Sequence, residues 1–249
     1  MANAYFAFKQ FTVWHDRCAM KVGTDGVLLG AWAGSGGSDV LSDAQAHSNR
    51  QAVYILDVGT GSGLIALMLA QRFPSAHITA IEIDPAAAQQ ATDNMERSPW
   101  ADRIAVKCMD FRSFATDSAP FDLIVSNPPY FVDALHSPDR QRNLARHAQE
   151  LNYEQLLSVS ATQLSPDGNI CLIVPAEMEQ VVVDTAWRHR LFPQRRLSVF
   201  TRKGKPCRRV LLSLGFESRA VMGETLCLET TSGIRTPEYA TLMREFYLK

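Results

Sequence analysis

The stretch "YILDVGTGSGLIALMLAQRF", Tyr54 to Phe73, sets the tightest limit on what this chain can fold into. Tyr54–Val58 is a short, nearly continuous apolar run, which reads as a strand buried on both faces. It breaks into Gly59, Gly61 and Gly63, and helix formers then continue to Phe73, where Pro74 stops them. The same alternation recurs downstream. "HITAIEID", "RIAVKCMD", "FDLIVSN" and "NICLIVP" read as further strands, with "RRLSVF" and "RRVLLSLGF" after them. Between them lie an Ala-rich helix opened by Pro85, a helix in "NYEQLLSVSATQL" closing near "SPDG", and one from about Glu177 to Leu191. The pattern predicts an α/β fold: a seven-stranded, mostly parallel sheet with helices on both faces.

With 249 residues, the chain is long enough for a substantial core. No apolar run reaches the ~20 residues of a membrane helix, and the opening "MANAYFAFKQF" lacks the layout of a secretory signal. The five cysteines are scattered, with no CxxC pair, and the six histidines show no ligand spacing. The expectation is a cytoplasmic protein with reduced thiols, no membrane contact and no metal site. His15 and His189 read as structural or phosphate-facing. The net charge of −1 hides an asymmetry: Thr185–Phe216 holds nine Lys or Arg and no Asp or Glu. Arg195, Arg196, Arg202 and Lys203 lie in that run, and Arg140, Arg142 and Arg146 form a smaller basic group. Local fields of this kind suit either a solvated surface or a polyanion.

Glycines after an apolar strand permit positive φ and let a ligand lie on the backbone, while the helix that follows offers free amides. Three residues beyond Gly61 stands Leu64, so the GxGxxG/A dinucleotide fingerprint is incomplete, and a dehydrogenase ranks last. A ligand with an adenosine end, an amino-acid end and no phosphates fits better: S-adenosyl-L-methionine. Glu82, 19 residues after Gly63, ends the second strand where a carboxylate can accept from both ribose hydroxyls. Asp84 is the alternative acceptor, and strand alternation favours Glu82. Asp110, ending the third strand, is placed to accept from an adenine amino group. Asp57, Gly59, Gly61, Gly63, Glu82, Asp84 and Asp110 are thus the cofactor candidates.

The fourth strand ends in "SNPPYF". Pro128 confines Asn127 to extended geometry, and Pro129 contributes no amide hydrogen. Such a stiffened pair of acceptors, the Asn127 side-chain oxygen and the Pro128 carbonyl, can hold one exocyclic NH2. Tyr130 would stack on the base, a contact worth about 1–3 kcal/mol, with Phe131 at its edge. Behind the glycine turn and the acid-ended strands, "NPPY" resembles the amino-methyltransferases acting on adenine N6, cytosine N4 or a glutamine amide. A protein methyltransferase and a non-catalytic RNA-binding protein remain alternatives.

"FKQFTVWHDRCAMKVGTDGVLLGAWA" (Phe8–Ala33), "LDVGTGSGLIALMLAQR", "ERSPWADRI" and "FDLIVSNPPYF" resemble the bacterial valine-tRNA adenine-37 N6-methyltransferase family, closely over about the first 150 residues. The resemblance implies a class I methyltransferase (Rossmann-like) fold, with Asn127, Pro128, Pro129 and Tyr130 catalytic and Gly59, Glu82 and Asp110 on the cofactor. It places Thr24 and Asp25 near the cofactor's methionine end; alone, "TDGVLLGAW" reads as a capped amphipathic helix. It also implies tRNA as partner through its anticodon stem-loop, with the basic runs facing phosphates. The expected organisation is an arm over residues 1–33 contributing to the cofactor site, a flexible loop over 34–51, and a methyltransferase domain over 52–249.

Overall fold

A computed structural model of the protein describes residues 3–35, 52–115, 120–129 and 151–248. All seven expected strands form: β3 (Val53–Val58), β4 (Ala76–Glu82), β5 (Ile104–Cys108), β6 (Phe121–Ser126), β7 (Leu164–Pro175), β8 (Phe192–Arg202) and β9 (Cys207–Gly215). An eighth, β10 (Met222–Glu229), joins their sheet, and β1 (Tyr5–Ala7) and β2 (Thr12–Trp14) make a separate antiparallel hairpin. The sheet order is β10-β8-β9-β7-β6-β3-β4-β5, and only β9 runs against the rest. β7 starts earlier than "NICLIVP" suggests, because Leu164 already pairs with Phe121 ahead of an irregularity in the register.

Strand alternation divides the core in two. Ile55, Ile78, Leu123, Val125 and Ile173 face the helices α1 (Thr24–Trp32), α2 (Leu64–Arg72), α3 (Pro85–Glu96) and α6 (Pro237–Met243). Leu56, Val58, Ile124, Leu172 and Val174 face α4 (Tyr153–Gln163) and α5 (Glu179–Arg188). Both faces are therefore covered, as the apolar runs require.

α1 departs from the capped amphipathic helix expected of "TDGVLLGAW". Its N-cap is Gly23, with no side-chain cap, and every residue from Gly26 to Trp32 is buried. Gly26 and Gly30 make this possible: a Cβ on Gly30 would stand 2.7 Å from Met68 Sδ and one on Gly26 3.0 Å from Leu64 Cδ2, so α1 lies directly on α2. The hairpin belongs to the same core, through Phe8, Phe11 and Val13. It is fastened to the other end of the chain, where Phe8 bridges Tyr247 and the Lys9 N–H donates to the Phe246 carbonyl at 2.9 Å.

Candidate active site

From β3 the chain proceeds to β4 and β5 on one side, then returns to place β6 and β7 on the other. The reversal opens a crevice above the carboxyl ends of β3 and β6, where open α/β sheets bind ligands. A cavity of about 340 Å³ occupies it. Its floor is the turn Gly59–Ser62, one wall is the segment Met20–Gly26, and Asn127 stands at its lip.

The turn is built around Asp57. Gly63 sits at φ 83° and offers α2 no side-chain cap, so Asp57 Oδ2 takes that role, accepting from the Ala66 N–H at 3.2 Å and the Thr60 hydroxyl at 2.6 Å. Asp57 is fully buried, and its Oδ1 has no hydrogen-bond partner among the described residues. Burial pushes its carboxyl up to about 7, against the lowering effect of those two bonds. Gly59 and Gly61 hold φ of 71° and 55°, and a Cβ on either would meet nothing within 4 Å. The turn thus presents bare backbone to open space. Gly63 serves packing instead, since a Cβ there would approach Met95 Cε to 2.4 Å.

Glu82 braces the turn from β4, accepting from the Gly61 N–H at 2.8 Å through Oε2 and from Ile83 and Asp84 through Oε1. Asp84 is the N-cap of α3, its Oδ1 accepting from the Ala86 N–H at 3.0 Å. Asp110 caps the short turn Phe111–Ser113 and is gripped by the Arg112 guanidinium, which holds its carboxyl below the usual range. None of these three acids lines the cavity; they continue its rim along the ends of β4 and β5. Thr24 and Asp25 do line it, and Asp25 Oδ2 also accepts from Arg209 Nε at 2.8 Å.

The wall segment rests on Asn94, which no motif of the sequence marks, and on His15, read above as structural or phosphate-facing. Buried Asn94 donates to the carbonyls of Trp14 and Ser62 at 2.8 and 2.9 Å and accepts from the Trp14 N–H at 3.0 Å, tying arm, α3 and glycine turn at one point. His15 Nδ1 accepts from the Val22 N–H at 3.3 Å while Nε2 bonds to the Asn3 carbonyl at 2.9 Å, so its role is structural. Nothing in the local sequence marks Asn94; its partners lie 32 and 80 residues away.

Of the "NPPYF" residues, Asn127 is half-buried, Pro128 buried and Pro129 exposed, while Tyr130 and Phe131 lie outside the described residues, as do Arg140, Arg142 and Arg146. The long basic run is not the array of unengaged cations its composition suggests. Arg195 is held by Glu224 and lies 4.5 Å over the Trp32 ring; Arg196 is held by Glu179 and Arg202 by Glu229. Lys203 is exposed, and no described carboxylate pairs with it.

A doubly wound sheet whose switch point carries a bare glycine turn, a braced acid on the second strand and an Asn-Pro-Pro edge on the fourth defines a class I methyltransferase. The comparisons agree. A family model described as "Methyltransferase domain" matches residues 55–154. The crystal structure of a predicted O-methyltransferase from Agrobacterium tumefaciens shares the fold, with a TM-score of 0.66 at 20% identity, over 89% of this chain and 96% of that one. A tRNA1(Val) (adenine(37)-N6)-methyltransferase of Bacteroides fragilis is 49% identical over 100% of both chains, and one of Yersinia pestis is 43% identical over 98% of this chain and 93% of its own. This chain therefore belongs to the tRNA1(Val) (adenine(37)-N6)-methyltransferase family, and the likeness runs the full length, well beyond the first 150 residues.

Proposed function

We propose that this protein transfers a methyl group from S-adenosyl-L-methionine to N6 of an adenosine in tRNA, at position 37 of a valine tRNA. The carrying observation is that Asn127 opens onto the same cavity as the bare turn Gly59–Ser62. The residues fit that cofactor. Gly59 and Gly61 leave a cradle that any Cβ would begin to fill. The start of α1 has no side-chain cap and lines the cavity, and the positive end of a helix dipole suits a carboxylate. Glu82 is oriented by three backbone amides and suits a ribose diol, and Asp110 suits an adenine amine.

The bound cofactor supplies a methyl group on a sulfonium that needs no further activation. The chain's task is to aim the nitrogen. Asn127 Oδ1 and the Pro128 carbonyl oxygen accept the two amine hydrogens, and this turns the nitrogen lone pair toward the cavity. The consecutive prolines stiffen both acceptors, so little reorganisation is needed as the amine pyramidalises. Tyr130 stacks on the base and Phe131 borders it. No described group of His, Cys, Asp and Glu is arranged to hold a metal, and no described helix is long and apolar enough to cross a membrane.

The test is direct: the protein is incubated with bulk unmodified tRNA and methyl-labelled cofactor, and the labelled nucleotide is mapped by mass spectrometry. N6-methyladenosine at position 37 of valine tRNA is the expected product. Label on cytosine, on a glutamine side chain or nowhere overturns the proposal.

A further inference from the structure

With Arg188, Arg195, Arg196, Arg202 and Arg209 engaged by carboxylates, the cations of the run left without one among the described residues are Arg190, just ahead of β8, and a cluster at the far end of that strand. Lys203, Lys205 and Arg208 are exposed, and none has a carboxylate partner among the described residues. Lys203 and Lys205 sit on the tip joining β8 to β9, and Arg208, the second residue of β9, stands at its root. That tip is a defined turn: the Lys205 N–H donates to the Arg202 carbonyl at 3.1 Å, and Gly204 takes φ 81°, the left-handed geometry that glycine adopts without strain. Pro206 fixes one further φ. The backbone of so constrained a turn loses little entropy on meeting a ligand.

The register places this tip beside the active site. Ser126 pairs with Leu172, and Arg209 pairs with Pro175, three residues farther along β7. The root of the tip therefore lies about 10 Å beyond the end of β6 and about two strand spacings, roughly 10 Å, to its side. Arg209 anchors that root to the cavity wall through Asp25. The opposite bank of the crevice carries Glu82 and Asp84, neither with a cation partner among the described residues, and would repel a phosphate backbone. One bank is acidic and the other basic.

We propose that the β8–β9 tip, through Lys203, Lys205 and Arg208, docks the phosphates flanking the base held at Asn127. Arg195, Arg196 and Arg202 brace the fold instead. The inference rests on RNA being the substrate. The triple variant Lys203→Ala/Lys205→Ala/Arg208→Ala is compared with wild type and with Arg196→Gln for tRNA affinity across a salt series, cofactor affinity and methyl transfer. Expected for the triple variant are unchanged cofactor affinity, tRNA affinity lower by about tenfold or more, and a log–log salt slope shallower by about 2–3, roughly one per lost contact. Arg196→Gln should keep the wild-type slope. A triple variant with the wild-type slope, or an equal loss in Arg196→Gln, overturns the docking role while leaving the methyl-transfer reading intact. Wild type that binds tRNA but transfers no methyl defeats that reading alone, and the tip is then judged on binding. Wild type that binds no tRNA defeats both.

Discussion

Asn127 stands one residue past the last paired position of β6, with its side chain at the cavity and its backbone confined by the proline that follows. Replacing it with Ala removes one of two acceptors without touching the cofactor's cradle. Asn127→Ala should bind cofactor normally in a calorimetric titration while single-turnover methylation falls ~10²-fold. Glu82 and Asp84 separate on similar grounds. Asp84 is committed to its helix cap, so Asp84→Ala should mainly cost about 1 kcal/mol of stability, whereas Glu82→Ala should weaken cofactor binding; equal effects in both assays would contradict this assignment. The buried Asp57 makes a pH prediction for the cofactor-free protein. Its carboxyl titrates near 3.8 when unfolded and at about 7 when folded, so across that interval the folded chain keeps a proton the unfolded chain has released. Folding stability therefore falls as pH rises from about 4 to 7, and Asp57→Asn should escape a decline on the order of a few kcal/mol, read as diverging melting curves. At this scale the placing of the Asn-Pro-Pro edge at the end of β6 was legible because proline chemistry is local. The capping role of Asp57 was not, since its partner Ala66 lies nine residues on and belongs to the next element.

Among the elements, contact between α1 and α2 is the tightest constraint on the cavity wall. Gly26 and Gly30 share a helix face, four residues apart, and the second abuts Met68. Gly30→Ala should cost about 1–3 kcal/mol through overpacking, and the penalty should shrink in a Met68→Ala background. Additive losses in that double-mutant cycle would place the clash elsewhere. Most of the seven expected strands were readable because each carries a dense apolar run that the helical layers bury; β5, an edge strand with only Ile104 buried, was readable from its place in the alternation. β10 was not: in "MGETLCLE" only Leu226 is fully buried, as befits an edge strand paired on one side. β1 and β2 escaped for a different reason, being three residues each and stable only against the rest of the core.

For the molecule as a whole, linear composition misled most about charge. Thr185–Phe216 contains no acid, yet Glu154, Glu179, Glu224 and Glu229 reach it from outside the window. Only tertiary structure could show which cations those acids consume. The closure of the two chain ends is equally invisible in the sequence, and it has a measurable consequence. Phe246 is 2% exposed and shares the core with Phe8 and Val13. Phe246→Ala should destabilise by about 3–5 kcal/mol in denaturant titrations. It should also loosen cofactor binding, though Phe246 is absent from the cavity lining, because the arm it holds leads into that wall. An unaltered cofactor affinity would show that Asn94 and His15 hold the wall unaided. The same clasp orders events at the ribosome. Residues 5–11 are made long before their partners near 243–247, so this contact can close only after those later residues have been added. The arm that leads into the cavity wall is thus fastened only once synthesis has passed Tyr247.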